Sequence, residues 1–426
     1  MEKQKQKLII GIDYTNEYCQ ICYFSHRHQK PQSVVTGAAM ARYSFPACLG
    51  YDEEKETWLI GEAAQRSAAA NGTLLYKNLL SGLTNGEKCT INGRQCGYDQ
   101  LLAVYFGKLI ELTQISSGLM GIENITVSLR KTGLEIKKAM GGVFKLLKIP
   151  AEKVRVISGA ESFAYYVLNE KSELWRDGAM LFDFGRDGFF VKQLTLSGTR
   201  KEPLFYVNEH SFSLEFSVRD LGSSLIRSDY DQRIGEVYES LKLEGENTSV
   251  YFTGEGFADL WFTDTLGKIS KDNRVFRGNN IYVRGACLAG LIRSRSEGRD
   301  YPIICKGRTR ASVSVVAGEA LKSEEVEISG AAVDWYDASG SAIFTLSGAK
   351  NATIAVTSII SHQKSMIDFD LSSFPDRTEG MVRVVVSVKY LNESECEIRM
   401  SDAGFGEFFE PTGAEVIKKL NLEGYI

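Results

Sequence analysis

Two short stretches, about 170 residues apart, constrain this chain more than anything else in it. The first is Leu8-Ile9-Ile10-Gly11-Ile12-Asp13 and the second is Ala179-Met180-Leu181-Phe182-Asp183-Phe184-Gly185. Each is a run of buried-strand residues ending on an aspartate at a tight turn. Such a turn can hold a divalent cation through water, and its backbone N–H groups can face phosphate oxygens. One apolar run ending on Asp is common in α/β proteins. The pair gains meaning from what stands between and after it.

At 426 residues the chain can bury a large core and should divide into two or more domains. Its 50 Lys+Arg against 54 Asp+Glu leave no electrostatic footprint for nucleic acid or an anionic membrane. The basic stretches Lys3 to Lys7 and Arg293 to Arg310 read as solvated surface. No segment approaches the ~18–20 apolar residues of a membrane span. The basic start runs directly into a strand, so no signal peptide is expected. The eight cysteines read as reduced thiols, and the expected location is cytoplasmic. Cys19 and Cys22 form a CxxC inside the strand-like Tyr18–Phe24. No second CxxC completes a set of four ligands, so they read as ordinary core or hairpin thiols. The four histidines have no metal-ligand spacing.

Hydrophobic periodicity predicts a hairpin of Leu8–Asp13 and Tyr18–Ser25, with a third strand at Ser33–Thr36. A helix at 62–70 and a longer one at 99–114 follow, the latter through Leu102, Tyr105, Phe106, Leu109 and Leu112. Strands at 124–129 and 153–158 alternate with helices at 134–147 and 160–168. The second half restarts at Ala179, with strands at 179–183, 189–196, 205–207 and 214–218 and a helix at 229–241. A strand at 249–252 leads to the turn Thr253-Gly254-Glu255-Gly256. A short strand Ile281-Tyr282-Val283 then precedes a small-residue helix at 285–292. Beyond the charged stretch 293–305 strands dominate, spaced as in an antiparallel sandwich. Only 413–420 reads as helical there.

With both aspartate turns placed, the order of the pieces resembles the actin-like ATPase superfamily, and within it the DnaK-type heat-shock chaperones. Ile60-Gly61-Glu62-Ala63-Ala64, then Asn71 and Lys77-Asn78-Leu79-Leu80, resembles that family's path to its catalytic lysine. Ile125-Thr126-Val127 is similar to the strand before the first connection between lobes, and Glu161–Tyr166 to the connecting helix. Asp220-Leu221-Gly222-Ser223-Ser224 is similar to a glycine turn, Thr253–Gly256 to the adenosine-contacting loop, and Gly285-Ala286-Cys287 to the second connection. Ile367–Pro375, with Gly380, resembles the β-sandwich of the chaperones' peptide-binding domain. The resemblance implies a two-lobed, ribonuclease H-like α/β domain over 1–305, followed by an all-β sandwich over 306–426. Its lobes would span about 1–170 and 175–292, with a linker at about 293–305. It implies ATP or ADP with Mg²⁺ as cofactors, Asp13 and Asp183 organising the metal, and Lys77, Glu161 and Asp183 as catalytic groups. Nucleotide contacts would come from Asp13, Thr15, Asn16, Gly185, Arg186, Gly222, Gly254, Glu255 and Gly256.

The sequence also departs from that pattern. Asp13-Tyr14-Thr15-Asn16-Glu17 lacks the glycine that permits close backbone approach to phosphate. Glu17 beside polyphosphate would cost about 4 kcal/mol at ~4 Å and an effective dielectric of ~20. Arg186 and Asp187 interrupt the second turn, where Arg186 can bind phosphate or fill the cavity. Phe190 replaces a metal-organising aspartate, Ser128 a proline, and Ser162-Phe163 the Pro-Thr pair of the connecting helix. The outer subdomain has shrunk to one helix, and no helical lid is expected after the sandwich. The expected function is therefore a divergent DnaK-like protein that binds ATP·Mg²⁺ with slow or no hydrolysis, its sandwich binding a partner protein or unfolded peptide. The alternatives are a pseudo-ATPase scaffold and an actin-like assembly protein of bacterial division or pilus machinery.

Overall fold

A computed structural model describes residues 6–35, 43–91, 93–198, 203–213, 215–245, 248–295, 301–318, 324–346, 350–377 and 382–425. The chain divides into two compact units, Met1–Leu196 with Val207–Tyr301, and Ser197–Tyr206 with Pro302–Ile426. Thr36, Leu214, residues 296–300 of the expected linker and Gly380 lie outside the described residues.

The first half of the first unit runs β1 (Leu8–Tyr14), β2 (Tyr18–Ser25), β3 (Lys30–Ser33), β4 (Phe45–Pro46), β5 (Leu49–Asp52), β6 (Thr57–Ile60), α1 (Gly61–Asn71), β7 (Leu75–Tyr76), α2 (Leu79–Thr84), β8 (Lys88–Ile91), β9 (Arg94–Gly97), α3 (Tyr98–Ser117), β10 (Ile122–Leu129), α4 (Leu134–Leu146), β11 (Val154–Ser158) and α5 (Gly159–Leu168). Its main sheet has the order β11-β10-β1-β2-β3, with β4 also on β2. All seven residues of β1 are buried, as expected of a strand covered on both faces. β1 is parallel to β10 and antiparallel to β2, so Asp13 stands beside Ser128 on one side and Gln20 on the other. Tyr14 packs edge-on against Phe106 of α3, ring centroids 5.3 Å apart.

The second half runs β12 (Ala179–Gly185), β13 (Gly188–Gly198, in this unit up to Leu196), β14 (Pro203–Ser211, in this unit from Val207), α6 (Ser224–Leu241), β15 (Ser249–Thr253), α7 (Thr263–Asp272), β16 (Arg274–Arg277) and α8 (Ile281–Ser294). Its strands lie in the order β16-β15-β12-β13-β14. The aromatic rings of Phe182, Phe184, Phe189, Phe252 and Phe257 fill its core. Helices α5 and α8 cross closely because Gly285 has no side chain. A Cβ there would collide with the Ser162 carbonyl.

Several sequence expectations change; the third strand is Lys30–Ser33, ahead of the expected Ser33–Thr36. Ile281-Tyr282-Val283 is the first turn of α8 rather than a strand, since an apolar run buried on all sides fits either element. Residues 215–218 form no strand; a 3-10 turn, Val218–Gly222, leads into α6 instead. The stretch expected as a C-terminal helix is a strand. There Val416 and Leu420 face inward while Glu415, Ile417, Lys419 and Asn421 are exposed, a period of two.

The second unit adds β17 (Ile303–Ile304), β18 (Ala311–Ala317), β19 (Glu324–Ser329), β20 (Gly340–Leu346), β21 (Asn351–Ser358), β22 (Lys364–Asp370), β23 (Val382–Tyr390), β24 (Glu395–Asp402) and β25 (Glu415–Asn421). Two four-stranded sheets, β19-β18-β21-β22 and β20-β23-β24-β25, enclose one core that includes Val313, Ile354, Phe369, Val386 and Ile398. Their alternating inward and outward residues make this unit a β-sandwich. β17 pairs with Phe205 and Tyr206.

Candidate functional site

The strand ends bring charge together. β1 delivers Asp13, which is 1% exposed, and the parallel neighbour β10 ends one residue before Arg130. Arg130 forks onto Asp13, with Nη1 donating to Oδ1 at 2.7 Å and Nη2 to Oδ2 at 3.2 Å. Nη2 also donates to the Tyr18 hydroxyl at 2.7 Å. The guanidinium carbon lies 4.0 Å from the centroid of the Tyr282 ring on α8. Tyr282 in turn donates to Asp183 Oδ2 at 2.6 Å, and Arg130 Nε stands 3.9 Å from the same oxygen. The two aspartates, the arginine and the two tyrosines thus form one buried cluster. Burial opposes the Arg130 charge, but the carboxylates, Asp13 first and then Asp183, outweigh it and hold the guanidinium protonated. Burial pushes the Asp13 carboxyl up, against the downward pull of Arg130. Burial likewise pushes the Tyr18 and Tyr282 hydroxyls up, so both stay neutral donors or acceptors.

Arg130 and Asp183 line a cavity of about 590 Å³. Gly185, Arg186, Gly254 and Glu255 also line it. Gly185 pairs with Gly188, making Arg186-Asp187 the turn of a tight hairpin. Arg186 binds Glu255 through Nε at 2.8 Å and Nη2 at 3.0 Å, and reaches Glu17 at 3.5 Å. These carboxylates, Glu255 first, raise the Arg186 pKa further. Gly254, with φ of +99°, lets β15 turn directly over the backbone of Phe184; a Cβ there would collide with the Phe184 carbonyl.

Other expected site residues are engaged locally. Thr15 Oγ1 donates to the Tyr18 carbonyl at 3.1 Å and accepts from the Glu17 and Tyr18 N–H groups at 3.2 and 3.0 Å, closing its own turn. Asn16 binds Ser81 of α2, donating from Nδ2 at 2.7 Å and accepting the Ser81 N–H at 3.2 Å. Glu161 completes the capping box of α5 with Ser158 and lies 3.5 Å from Arg155. Lys77 is exposed just after β7, and Gly222 is exposed in its 3-10 turn. Gly256 is buried beneath the Phe184 ring. Lys77, Glu161, Gly222 and Gly256 are not among the residues lining the cavity.

Sequence reasoning missed Arg130, Tyr18, Gln20, Asp187 and Tyr282. The signal for Arg130 was its place just past a strand parallel to β1, where side chains of neighbouring parallel strands gather at one edge.

A hydrated Mg²⁺ needs oxygen ligands with free lone pairs in near-octahedral array. Both Asp13 oxygens instead accept from Arg130, and Asp183 Oδ2 accepts from Tyr282. Among the described residues no three His, Cys, Asp or Glu side chains are grouped to hold a metal ion. This donor set does not fit the ion that the resemblance implies. Cys19 and Cys22 point to opposite faces of β2 into separate cores, and all eight cysteines are free thiols. Among the described residues no helix is long and apolar enough to cross a membrane.

Fold and site together define a mixed α/β unit with a buried aspartate–arginine cluster, joined to a β-sandwich. Residues 30–307 match the model described as family of unknown function (DUF5716) C-terminal, and the chain belongs to that family. Residues 308–422 match a domain of unknown function (DUF8552). No curated protein matches the chain.

Proposed function

We propose that this chain is a DnaK-like member of the actin-like ATPase superfamily that works without nucleotide turnover, as a cytoplasmic scaffold or interaction protein. The observation that carries the reading is the fork of Arg130 on Asp13. A fixed protein cation takes the place of the mobile metal, and it neutralises the carboxylate that would organise it. Replacing it with Mg²⁺ would strip a buried ion pair, a loss of about 3–5 kcal/mol before any new ligand is gained. Thr15 and Asn16, expected phosphate contacts, are already bonded within the protein. Eight free thiols favour a reducing compartment. Partner binding falls to the sandwich, whose exposed Ile343, Met366, Phe408 and Ile417 are apolar contact points.

Calorimetry with ATP·Mg²⁺ on the intact chain tests this. No heat of binding is expected at millimolar nucleotide, and no phosphate release above the uncatalysed rate. Saturable heat that Asp183→Ala abolishes would sink the reading and restore the nucleotide-binding one.

A further inference from the structure

The same cavity has the charge of a cation receptor. Five carboxylates line it, from Glu17, Glu62, Asp183, Asp187 and Glu255, against the two guanidiniums of Arg130 and Arg186. Both guanidiniums are already paired, Arg130 with Asp13 behind the wall and Arg186 with Glu255 and Glu17, and Glu62 is paired with Arg66 at 3.5 Å, which leaves Asp183 and Asp187 as the carboxylates open to a ligand. Among the described residues Asp183 accepts one side-chain hydrogen bond, from the neutral Tyr282 hydroxyl, with Arg130 Nε at 3.9 Å. Among the described residues Asp187 has no hydrogen-bond or ion-pair partner. Although Asp187 is open to solvent, partial burial pushes its carboxyl up, Asp183 and Glu17 push it the same way, and Arg130 and Lys131 pull it down without cancelling the rise. A positive charge placed there would relieve that repulsion.

A second feature is independent of the acidic groups. Gln20 stands opposite Asp13 on β2 and lines the cavity, yet the residue is 5% exposed and among the described residues its amide oxygen has no partner. A buried amide left unpaired costs about 1–3 kcal/mol, which a ligand N–H donor would recover. Tyr18, Tyr43 and Phe190 also line the wall. Carboxylates, a free amide acceptor and aromatic rings are the chemistry that recognises an ammonium or guanidinium group. The volume suits a small organic molecule rather than a bare ion.

We propose that this cavity binds a small organic cation, an amine- or guanidinium-bearing molecule, in place of a nucleotide. The assignment rests on the non-nucleotide reading of the same site. Spermidine and agmatine, titrated separately into the full chain, are the probes, with MgCl₂ and ATP·Mg²⁺ as parallel arms. One-to-one binding with Kd below about 1 mM is expected for at least one amine. It should weaken about ten-fold in Asp187→Asn and in Gln20→Leu, and stay unchanged in Glu325→Gln on β19. Thermal unfolding of each variant establishes that it is folded. Absence of amine binding, or binding that all three variants leave alike, overturns the proposal, as does tighter binding of Mg²⁺ than of either amine. ATP·Mg²⁺ heat without amine heat would overturn both readings, whereas silence in every arm overturns this one alone.

Discussion

Exchanging Arg130 for methionine keeps much of the stem and removes the guanidinium. Asp13 would then be buried with two neutral hydroxyl groups nearby and no cation. Breaking a buried pair in this way costs about 3–5 kcal/mol, because the remaining charge is uncompensated. Urea unfolding of Arg130→Met should show that loss, and the double variant with Asp13→Asn should recover part of it. Arg130→Lys should fall between, since an ammonium keeps the charge but cannot fork across both oxygens. A single variant within 1 kcal/mol of the parent, an order-of-magnitude threshold for exposed pairs, would show that the cluster does not hold the strand ends. The aspartates of this cluster were legible in the sequence because each stands in an apolar run, which fixes its burial, although both lie within their strands, Asp13 opposite Gln20 and Asp183 opposite Phe190, rather than in the turns themselves. Arg130 was not, since only the parallel register of β1 on β10 brings it to a partner 117 residues away.

Periodicity carried most of the elements for a similar reason. β1 and β2 are apolar runs of strand length buried on nearly every residue, and α3 buries the apolar face of a helical repeat. Where two repeats fit, tertiary contacts decided. The start of α8 is buried on all sides, and β25 has only Val416 and Leu420 facing inward. The loop between β24 and β25 was legible only as a turn-rich stretch, yet it has a definite anchor. Asp402 accepts from Arg377 Nη1 and Nη2 at 2.9 Å each, from the Gly404 N–H at 3.0 Å, and from Thr412 N–H and Oγ1 at 2.8 and 2.9 Å. Burial pushes this carboxyl up, but the donors outweigh it and lower the pKa to about 2. A folded-state value below the unfolded one stabilises the fold above the unfolded pKa, near 4, and that stability fades as pH falls toward about 2. The shift corresponds to about 2 kcal/mol. Compared with Asp402→Asn, the parent's advantage should therefore narrow by about that amount between pH 6 and pH 2. A pH-independent difference would mean that the donors hold the neutral acid equally well.

At the scale of the whole chain, the second unit is not continuous in sequence. Ser197–Tyr206 belongs to it together with Pro302–Ile426, whereas the sequence reading starts that region at 306. Ile303, Ile304 and Cys305 are buried, as are Leu204 and Phe205. The Ile303 carbonyl accepts from Arg308 Nη1 at 3.0 Å, and Arg308 is 5% exposed. A fragment beginning at 306 therefore keeps the core between the two sheets but loses an acceptor for a buried charge. A hydrogen bond to a charged group contributes about 1.5–3 kcal/mol, and the lost isoleucine burial adds to that. Three fragments should rank accordingly in thermal unfolding. One carrying 197–206 linked to 302–426 should be the most stable, 302–426 intermediate and 306–426 least. The first step isolates the pairing of β17 with Phe205 and Tyr206, and the second the Arg308 contact. If 306–426 unfolds at the same temperature as the linked fragment, residues 197–206 and 302–305 are passengers of the sandwich. If the ranking holds, a strand segment that sequence order assigns to the α/β unit is structurally part of the sandwich, and cutting the chain by composition would damage it.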